Sequence, residues 1–177
     1  FLGIFKFGKK VMAKITLKGN PVNTSGDLPA LGSKAPDFSL VGSDLGTLSL
    51  SELKGRKVIL NIFPSLETSV CANALRTFNK LAAGKPNVTV LAISKDLPFS
   101  HGRFCSTEGI TNLTTLSGFR DSMFGKLYGV DILDGLFAGL YARSVVVIDE
   151  QGIVLYTELV PEIATEPDYD SALASLQ

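Results

Sequence analysis

The chain has 177 residues, of which 45% are hydrophobic and 19% are charged, so it can bury the core of one compact domain and is not expected to be disordered. Lys plus Arg and Asp plus Glu both number 17, and this balance gives no basic face for nucleic acid. Gly, Asp or Lys interrupts every apolar stretch well before the roughly 18 residues of a membrane helix, so we expect no membrane partner.

The first residues differ from the rest of the chain. Residues 1–11 place apolar side chains before Lys9 and Lys10, which is the reverse of the order in a secretory signal. We interpret them as an appendage, either vector-derived or the result of a start assigned upstream of Met12. A single domain is expected over residues 12–177.

Organised sequence begins with a short hairpin. Residues 15–17 and Val22 flank the turn residues 19–21, and a loop rich in Gly and Pro over residues 26–36 leads to the start of the core near residues 37–40. Residues 57–63 form a near-continuous apolar run that ends before Pro64. Such a run predicts a central strand that is buried on both faces.

A helix is expected after this strand and the loop that follows it. Ala74, Leu75, Phe78 and Leu81 recur at three- to four-residue intervals, and residues 84–86 carry Gly and Pro stop signals. The remaining elements predicted from the pattern are a buried strand over residues 88–93, helices over 99–107 and 121–128, a hairpin of strands 145–148 and 153–156, and a last helix over 169–176. Right-handed crossovers would make the first two core strands parallel and place the hairpin antiparallel beside them. The predicted fold class is therefore α/β, with a mixed central sheet flanked by helices.

Two cysteines, Cys71 and Cys105, are the candidates for chemistry. Their number and spacing do not suit a structural zinc site, and we predict neither a metal nor another cofactor. They leave two interpretations open, inert buried thiols or a redox pair. Cys71 stands where the helix begins, and there the free N–H groups and partial positive charge favour a thiolate and lower a cysteine pKa. A small apolar residue that packs the helix against the core would occupy the same position.

The segment before Cys71 bears on this choice. Residues 64–71 read Pro-Ser-Leu-Glu-Thr-Ser-Val-Cys, a P-x-x-x-T-x-x-C pattern, and the sequence here resembles the peroxiredoxins, whose peroxidatic cysteine lies in this motif at a helix start. Five stretches are similar to the bacterial thiol peroxidase branch of that family: residues 32–38, 63–71, 96–99, 103–105 and 142–149. The resemblance implies a thioredoxin-like fold with an N-terminal β-hairpin and an atypical two-cysteine peroxidase that serves antioxidant defence.

The resemblance also implies a role for each motif residue. Cys71 would attack a hydroperoxide and become a sulfenic acid, and Cys105 would then close an intrachain disulfide. Pro64 would limit solvent access to the sulfur, the Thr68 hydroxyl would hydrogen-bond the sulfur and the peroxide, and Arg143 would stabilise the thiolate and the leaving oxygen. From the residues alone, Thr68 can also be the N-cap of the helix, with both roles holding together, and an arginine before a strand is more often a solvated strand end.

The mechanism that the resemblance implies sets a geometric condition. A disulfide needs Cα atoms about 4.4 to 6.8 Å apart, and cysteines on two separate helices are expected to lie farther apart than that in the reduced fold. We therefore expect the Cys71 turn and the helix over residues 99–107 to unwind on oxidation. His101, the only histidine, is expected to be an ordinary loop or helix residue, because an ionised cysteine needs no base.

Partners and location follow from the same resemblance. It implies hydrogen peroxide or organic hydroperoxides as substrates, thioredoxin as reductant and a homodimer, and a recyclable thiol pair suits a bacterial cytoplasm better than a periplasm. Two other functions stay open. A disulfide oxidoreductase would normally carry C-x-x-C, whereas Asn73 and Ala74 follow Cys71 at that spacing. A binding or holdase module with vestigial cysteines would retain its activity in a Cys71→Ser variant.

Overall fold

The computed structural model describes residues 14–177, so the interpretation of residues 1–11 as an appendage and of Met12 as the start lies outside the described residues. Within this part, a two-stranded hairpin precedes a seven-stranded sheet. The strands are β1 (Lys14–Leu17), β2 (Asn20–Asn23), β3 (Ser39–Gly42), β4 (Thr47–Ser49), β5 (Lys57–Ile62), β6 (Val88–Ser94), β7 (Thr114–Ser117), β8 (Ser144–Ile148) and β9 (Val154–Leu159). The helices are α1 (Ser69–Ala82), α2 (Pro98–Glu108), α3 (Phe124–Leu127) and α4 (Tyr169–Ala174), with a short 3-10 helix over Leu50–Leu53.

The central sheet is mixed, as the sequence predicts. Its strand order is β4-β3-β7-β6-β5-β8-β9, with β5 in the interior. β5 pairs with β6 in parallel, and β8 pairs with both β5 and β9 antiparallel, which confirms the predicted crossover and the predicted hairpin. The N-terminal hairpin of β1 and β2 is confirmed as well.

Both faces of β5 are buried, because side chains alternate across a strand. Val58, Leu60 and Ile62 point into the core cluster that also holds Phe38 and Tyr128. Ile59 points to the opposite face and packs with Phe78 of α1 and with Val145 and Val147 of β8. Because both faces of β5 are buried, the position of its last residues in the core is fixed. This in turn positions the beginning of α1.

Some elements differ from the sequence-based expectation. The helix predicted over residues 121–128 is only Phe124–Leu127, because the Asp121 carboxylate accepts hydrogen bonds from the Met123 and Phe124 backbone N–H groups at 3.0 and 2.6 Å and forms a capping turn instead. α4 ends at Ala174 rather than at Leu176. Strands β3, β4 and β7 were not expected as separate elements, since each has three or four residues and too little apolar pattern to stand out.

No helix within residues 14–177 combines the length and the apolar character that a membrane crossing requires.

Candidate active site

Cys71 lies in the first turn of α1, close to the point where β5 ends. After Ile62 the chain passes through a buried Phe63 and a buried Pro64, and α1 begins at Ser69, so Cys71 is the third residue of the helix. The Cys71 side chain is fully buried, with 0% exposure. The predicted helix start at this cysteine is therefore present, and Pro64 is buried in the loop before it, whereas the role of Pro64 in limiting solvent access to the sulfur stays a prediction.

Thr68 is the N-cap of α1. Its backbone is extended, and its hydroxyl oxygen accepts a hydrogen bond from the Cys71 backbone N–H at 3.4 Å while donating to the Ser65 carbonyl at 3.2 Å. The capping role that the sequence left open is thus observed. A contact of the same hydroxyl with the Cys71 sulfur or with a peroxide stays a prediction.

Arg143 places a cation in contact with the cysteine. Its Nη2 donates to Cys71 Sγ at 3.3 Å, its Nε donates to the Ile163 carbonyl at 2.9 Å, and its exposure is only 1%. The register explains the encounter, because Ile62 at the end of β5 pairs with Ser144 at the start of β8 and brings residues 63 and 143 to the same end of the sheet. The general expectation of a solvated strand end is therefore wrong for this arginine.

The Arg143 guanidinium has no carboxylate partner within 4.0 Å among residues 14–177, and residues 1–13 contain neither Asp nor Glu. Its Nη1 has no hydrogen-bond partner in the described part of the chain either. A buried cation without a counter-ion is costly, so an anion nearby is strongly favoured. Of the two groups within residues 14–177 that accept a hydrogen bond from this guanidinium, the Ile163 carbonyl and the Cys71 sulfur, only the sulfur can carry a full negative charge.

Cys105 lies on α2 and is also a free thiol. It is half-buried and packs against the same apolar cluster as Cys71, beside Phe104 and Leu75. Burial raises the pKa of the Cys105 thiol, and a hydrogen bond with the Thr115 side chain partly offsets this effect. The closed α2 therefore keeps Cys105 protonated, whereas Cys71 contacts a guanidinium.

Ser65, Asp96, Ser94 and His101 are joined by hydrogen bonds into a polar chain, which was not predicted from the sequence. The Asp96 carboxylate accepts hydrogen bonds from Ser65 Oγ at 2.8 Å and from the Leu66 backbone N–H at 2.9 Å, both in the loop before Cys71. Its Oδ2 also accepts from Ser94 Oγ at 2.6 Å, and Ser94 Oγ lies 2.8 Å from His101 Nε2. His101 is a helix residue, within what was expected, but it is fully buried, and burial lowers its pKa to about 4. The one feature of the sequence that could have indicated this burial is the position of the single histidine three residues after Pro98.

An open groove with a volume of about 490 Å³ runs along the first turn of α1 and faces α2. An exposed ion pair between Arg103 and Glu67, 3.3 Å long, spans it. Such a pair contributes little to stability because solvent screens it. The groove has a mixed apolar and polar lining that includes Leu66, Thr68, Ala72, Phe104 and Thr107. Among the described residues, no group of three or more His, Cys, Asp or Glu side chains is placed to hold a metal ion.

Comparison with known proteins gives a consistent result. The profile of the Redoxin family matches residues 30–173. Thiol peroxidases from Mycobacterium tuberculosis and Corynebacterium glutamicum are 58% and 54% identical over 165 residues, which is 93% of this chain and 99% of each relative. The crystal structure of a peroxiredoxin-like protein from Aquifex aeolicus superposes with a TM-score of 0.87 at 40% identity, covering 92% of this chain and 95% of that one, which confirms the thioredoxin-like fold. The chain therefore belongs to the Redoxin family and, within the peroxiredoxins, to the thiol peroxidase branch.

Proposed function

We propose that this enzyme reduces hydroperoxides with Cys71 as the peroxidatic cysteine. The observation that carries the proposal is the buried Arg143 guanidinium, which has no carboxylate partner in the described chain and lies 3.3 Å from Cys71 Sγ. Together with the N–H groups of the first turn of α1, it favours the thiolate, which is the nucleophilic form of cysteine.

In the first step the Cys71 thiolate attacks the terminal oxygen of the hydroperoxide. The S–O bond forms as the O–O bond breaks, the sulfur is oxidised to a sulfenic acid, and the leaving oxygen takes a proton to become an alcohol or water. Arg143 stabilises the charge that moves from sulfur to the leaving oxygen. The Thr68 hydroxyl, held at the helix cap, orients the peroxide oxygens in line with the sulfur. The buried Pro64 keeps water away from the sulfur.

In the second step Cys105 attacks the sulfenic sulfur. Cys105 loses its proton, the S–O bond breaks, water leaves, and a disulfide joins Cys71 to Cys105. In the reduced fold both cysteines are free, and burial raises the pKa of the Cys105 thiol, so we propose that α2 opens before this attack and breaks the hydrogen bond between Cys105 and Thr115. Opening exposes the thiol, restores its ordinary pKa and lets its chain segment approach Cys71.

A dithiol reductant then returns the pair to the starting state. We propose thioredoxin for this role, because an intrachain disulfide is a direct substrate for thiol–disulfide exchange. The groove between α1 and α2 has apolar lining at Leu66 and Phe104, which suits organic hydroperoxides as well as hydrogen peroxide. A homodimer and a bacterial cytoplasmic location, where a recyclable thiol pair is kept reduced, complete the proposal.

The test is a thioredoxin-coupled assay that follows peroxide consumption by the parent chain and by Cys71→Ser and Cys105→Ser variants. We expect the Cys71→Ser variant to have no activity and the Cys105→Ser variant to consume one equivalent of peroxide without turning over with thioredoxin. Peroxide consumption by the parent no faster than by Cys71→Ser would contradict the proposal and favour a binding module. Thiol–disulfide exchange without peroxide consumption would favour a disulfide oxidoreductase.

A further inference from the structure

The polar chain between the two cysteine segments joins three parts of the fold. At one end, Asp96 binds Ser65 and the Leu66 backbone in the loop before Cys71, at 2.8 and 2.9 Å. At the other end, His101 belongs to α2, which also carries Cys105. Ser94, the last residue of β6, connects the two through hydrogen bonds of 2.6 and 2.8 Å.

The direction of these hydrogen bonds follows from the donors available. Ser94 has a single hydroxyl hydrogen, and the Asp96 carboxylate can only accept, so that hydrogen is donated to Asp96 Oδ2. Ser94 Oγ therefore accepts from His101, which must carry its hydrogen on Nε2. Burial keeps the imidazole neutral, since it lowers the His101 pKa to about 4. The ring is thus a fixed, uncharged donor at neutral pH.

This hydrogen bond is one of the contacts that hold α2 in place, together with the packing of the helix against β7. Pro98 and His101 are the only buried residues of the helix, and Phe99 beside them is 67% exposed. Phe104 and Cys105 are only half-buried. A segment with so few buried anchors opens at low free-energy cost, and the loss of a single anchor changes that cost appreciably.

We propose that His101 is a positioning residue that, through Ser94 and Asp96, holds α2 closed beside the Cys71 loop and thereby limits how often Cys105 can reach the Cys71 sulfenic acid. The inference rests on the proposed two-cysteine mechanism. Opening of α2 breaks the contact between His101 and Ser94, whereas the bonds from Asp96 to Ser65 and Leu66 can persist and keep the sulfenic acid loop in place. The strength of one hydrogen bond then sets the balance between disulfide formation and further oxidation of Cys71 by a second peroxide.

The experiment compares His101→Gln with His101→Met, two side chains of similar length. Gln can place an amide N–H where the imidazole Nε2–H lies, whereas Met has no donor. After one equivalent of hydrogen peroxide, rapid quenching and intact mass spectrometry give separate rates for sulfenic acid formation and for disulfide formation. We expect His101→Met to accelerate disulfide formation by about three- to tenfold, the range that corresponds to one lost buried hydrogen bond, and His101→Gln to stay close to the parent.

A second readout is the fraction of Cys71 sulfinic acid formed with excess peroxide, which should fall in His101→Met in the same proportion. Tyr128→Phe is the matched control, since it also removes one hydrogen bond of a buried side chain, from Tyr128 Oη to the Pro36 carbonyl at 2.7 Å, in the core cluster on the other face of the sheet. It should leave both rates unchanged.

The outcomes separate the inference from the function on which it rests. An unreactive Cys71 in the parent chain would contradict the proposed function itself. Normal sulfenic acid formation with an unchanged or slower disulfide step in His101→Met would overturn the role of His101 alone. Equal acceleration in His101→Met, His101→Gln and Tyr128→Phe would show a general loss of stability, which also contradicts a specific hydrogen-bond anchor.

Discussion

Replacing Arg143 with methionine tests the charge that faces Cys71. The distance of 3.3 Å from Nη2 to Sγ, taken with an effective dielectric constant of about 20, corresponds to an attraction of about 5 kcal/mol between unit charges. Part of this attraction stabilises the thiolate before the reaction, and part stabilises the negative charge that develops on the leaving oxygen. Removal of one charged donor from such a site costs about 3 kcal/mol in the barrier, so we expect Arg143→Met to slow sulfenic acid formation by about 10²- to 10³-fold.

The assay is rapid quenching at fixed pH with a sulfenic-acid trap, followed by mass spectrometry, because the chain has no tryptophan to report the reaction by fluorescence. Arg143→Lys is the matched control: it keeps the charge, but one ammonium group cannot reproduce the fixed fork that serves both Ile163 and Cys71. The rate of sulfenic acid formation in Arg143→Lys should fall between the rates of the parent and of Arg143→Met. Thermal unfolding confirms that each variant is folded. A rate for Arg143→Met within threefold of the parent would show that the Arg143 charge does not stabilise the transition state.

Three further predictions concern residues around the site. Thr68→Val should destabilise the fold by about 1 kcal/mol through loss of the N-cap and should slow sulfenic acid formation. Thr68→Ser should keep the stability and the rate of the parent. Equal rates of sulfenic acid formation in the two variants would show that Thr68 takes no part in the reaction. Because burial lowers the His101 pKa from 6.5 to about 4, the neutral ring contributes stability above pH 6.5, and up to about 3 kcal/mol of it is lost as the pH falls toward 4. Urea unfolding between pH 7 and 4 should show this loss of stability in the parent and a smaller loss in His101→Gln. The same pH dependence of stability in both proteins would contradict the prediction. Because burial raises the Cys105 pKa, the protonated thiol stabilises the closed α2 below the ordinary cysteine pKa, and this stabilisation is lost as the pH rises through the raised value. At pH 8 Cys105 should therefore react with iodoacetamide more slowly than free cysteine does, and in mild urea its rate should approach that of free cysteine. A rate equal to that of free cysteine without urea would count against a closed α2.

The location of Cys71 could be predicted from the sequence because its determinants are local. A buried run before Pro64, the pattern from Pro64 to Cys71, and the spacing of Leu75 and Phe78 all lie within one strand, one loop and one helix. Local hydrophobic period and capping chemistry are the signals that a sequence carries most directly.

The surroundings of Arg143 and His101 could not be predicted in the same way. Arg143 is buried because β8 pairs with β5 in a particular register, and His101 is buried because α2 packs against β7 and brings the imidazole to Ser94 at the end of β6. Neither pairing is visible in the residues next to these two side chains. Both side chains are polar, so pattern alone places them at the surface, and only tertiary contacts supply the hydrogen-bond partners that let polar groups enter a core. The resemblance anticipated Arg143, whereas nothing anticipated the buried chain from Asp96 to His101.

The proposed chemistry requires that peroxide converts the two separate thiols into one disulfide bond through Cys71. Intact mass spectrometry and peptide mapping of the reduced chain after one equivalent of hydrogen peroxide measure this conversion. We expect a loss of two hydrogens and a single cross-linked peptide pair that joins Cys71 to Cys105, with a trapped sulfenic acid on Cys71 alone when Cys105 is replaced by Ser. Thiols that remain unlinked, or an oxidised Cys105 beside an intact Cys71, would contradict it.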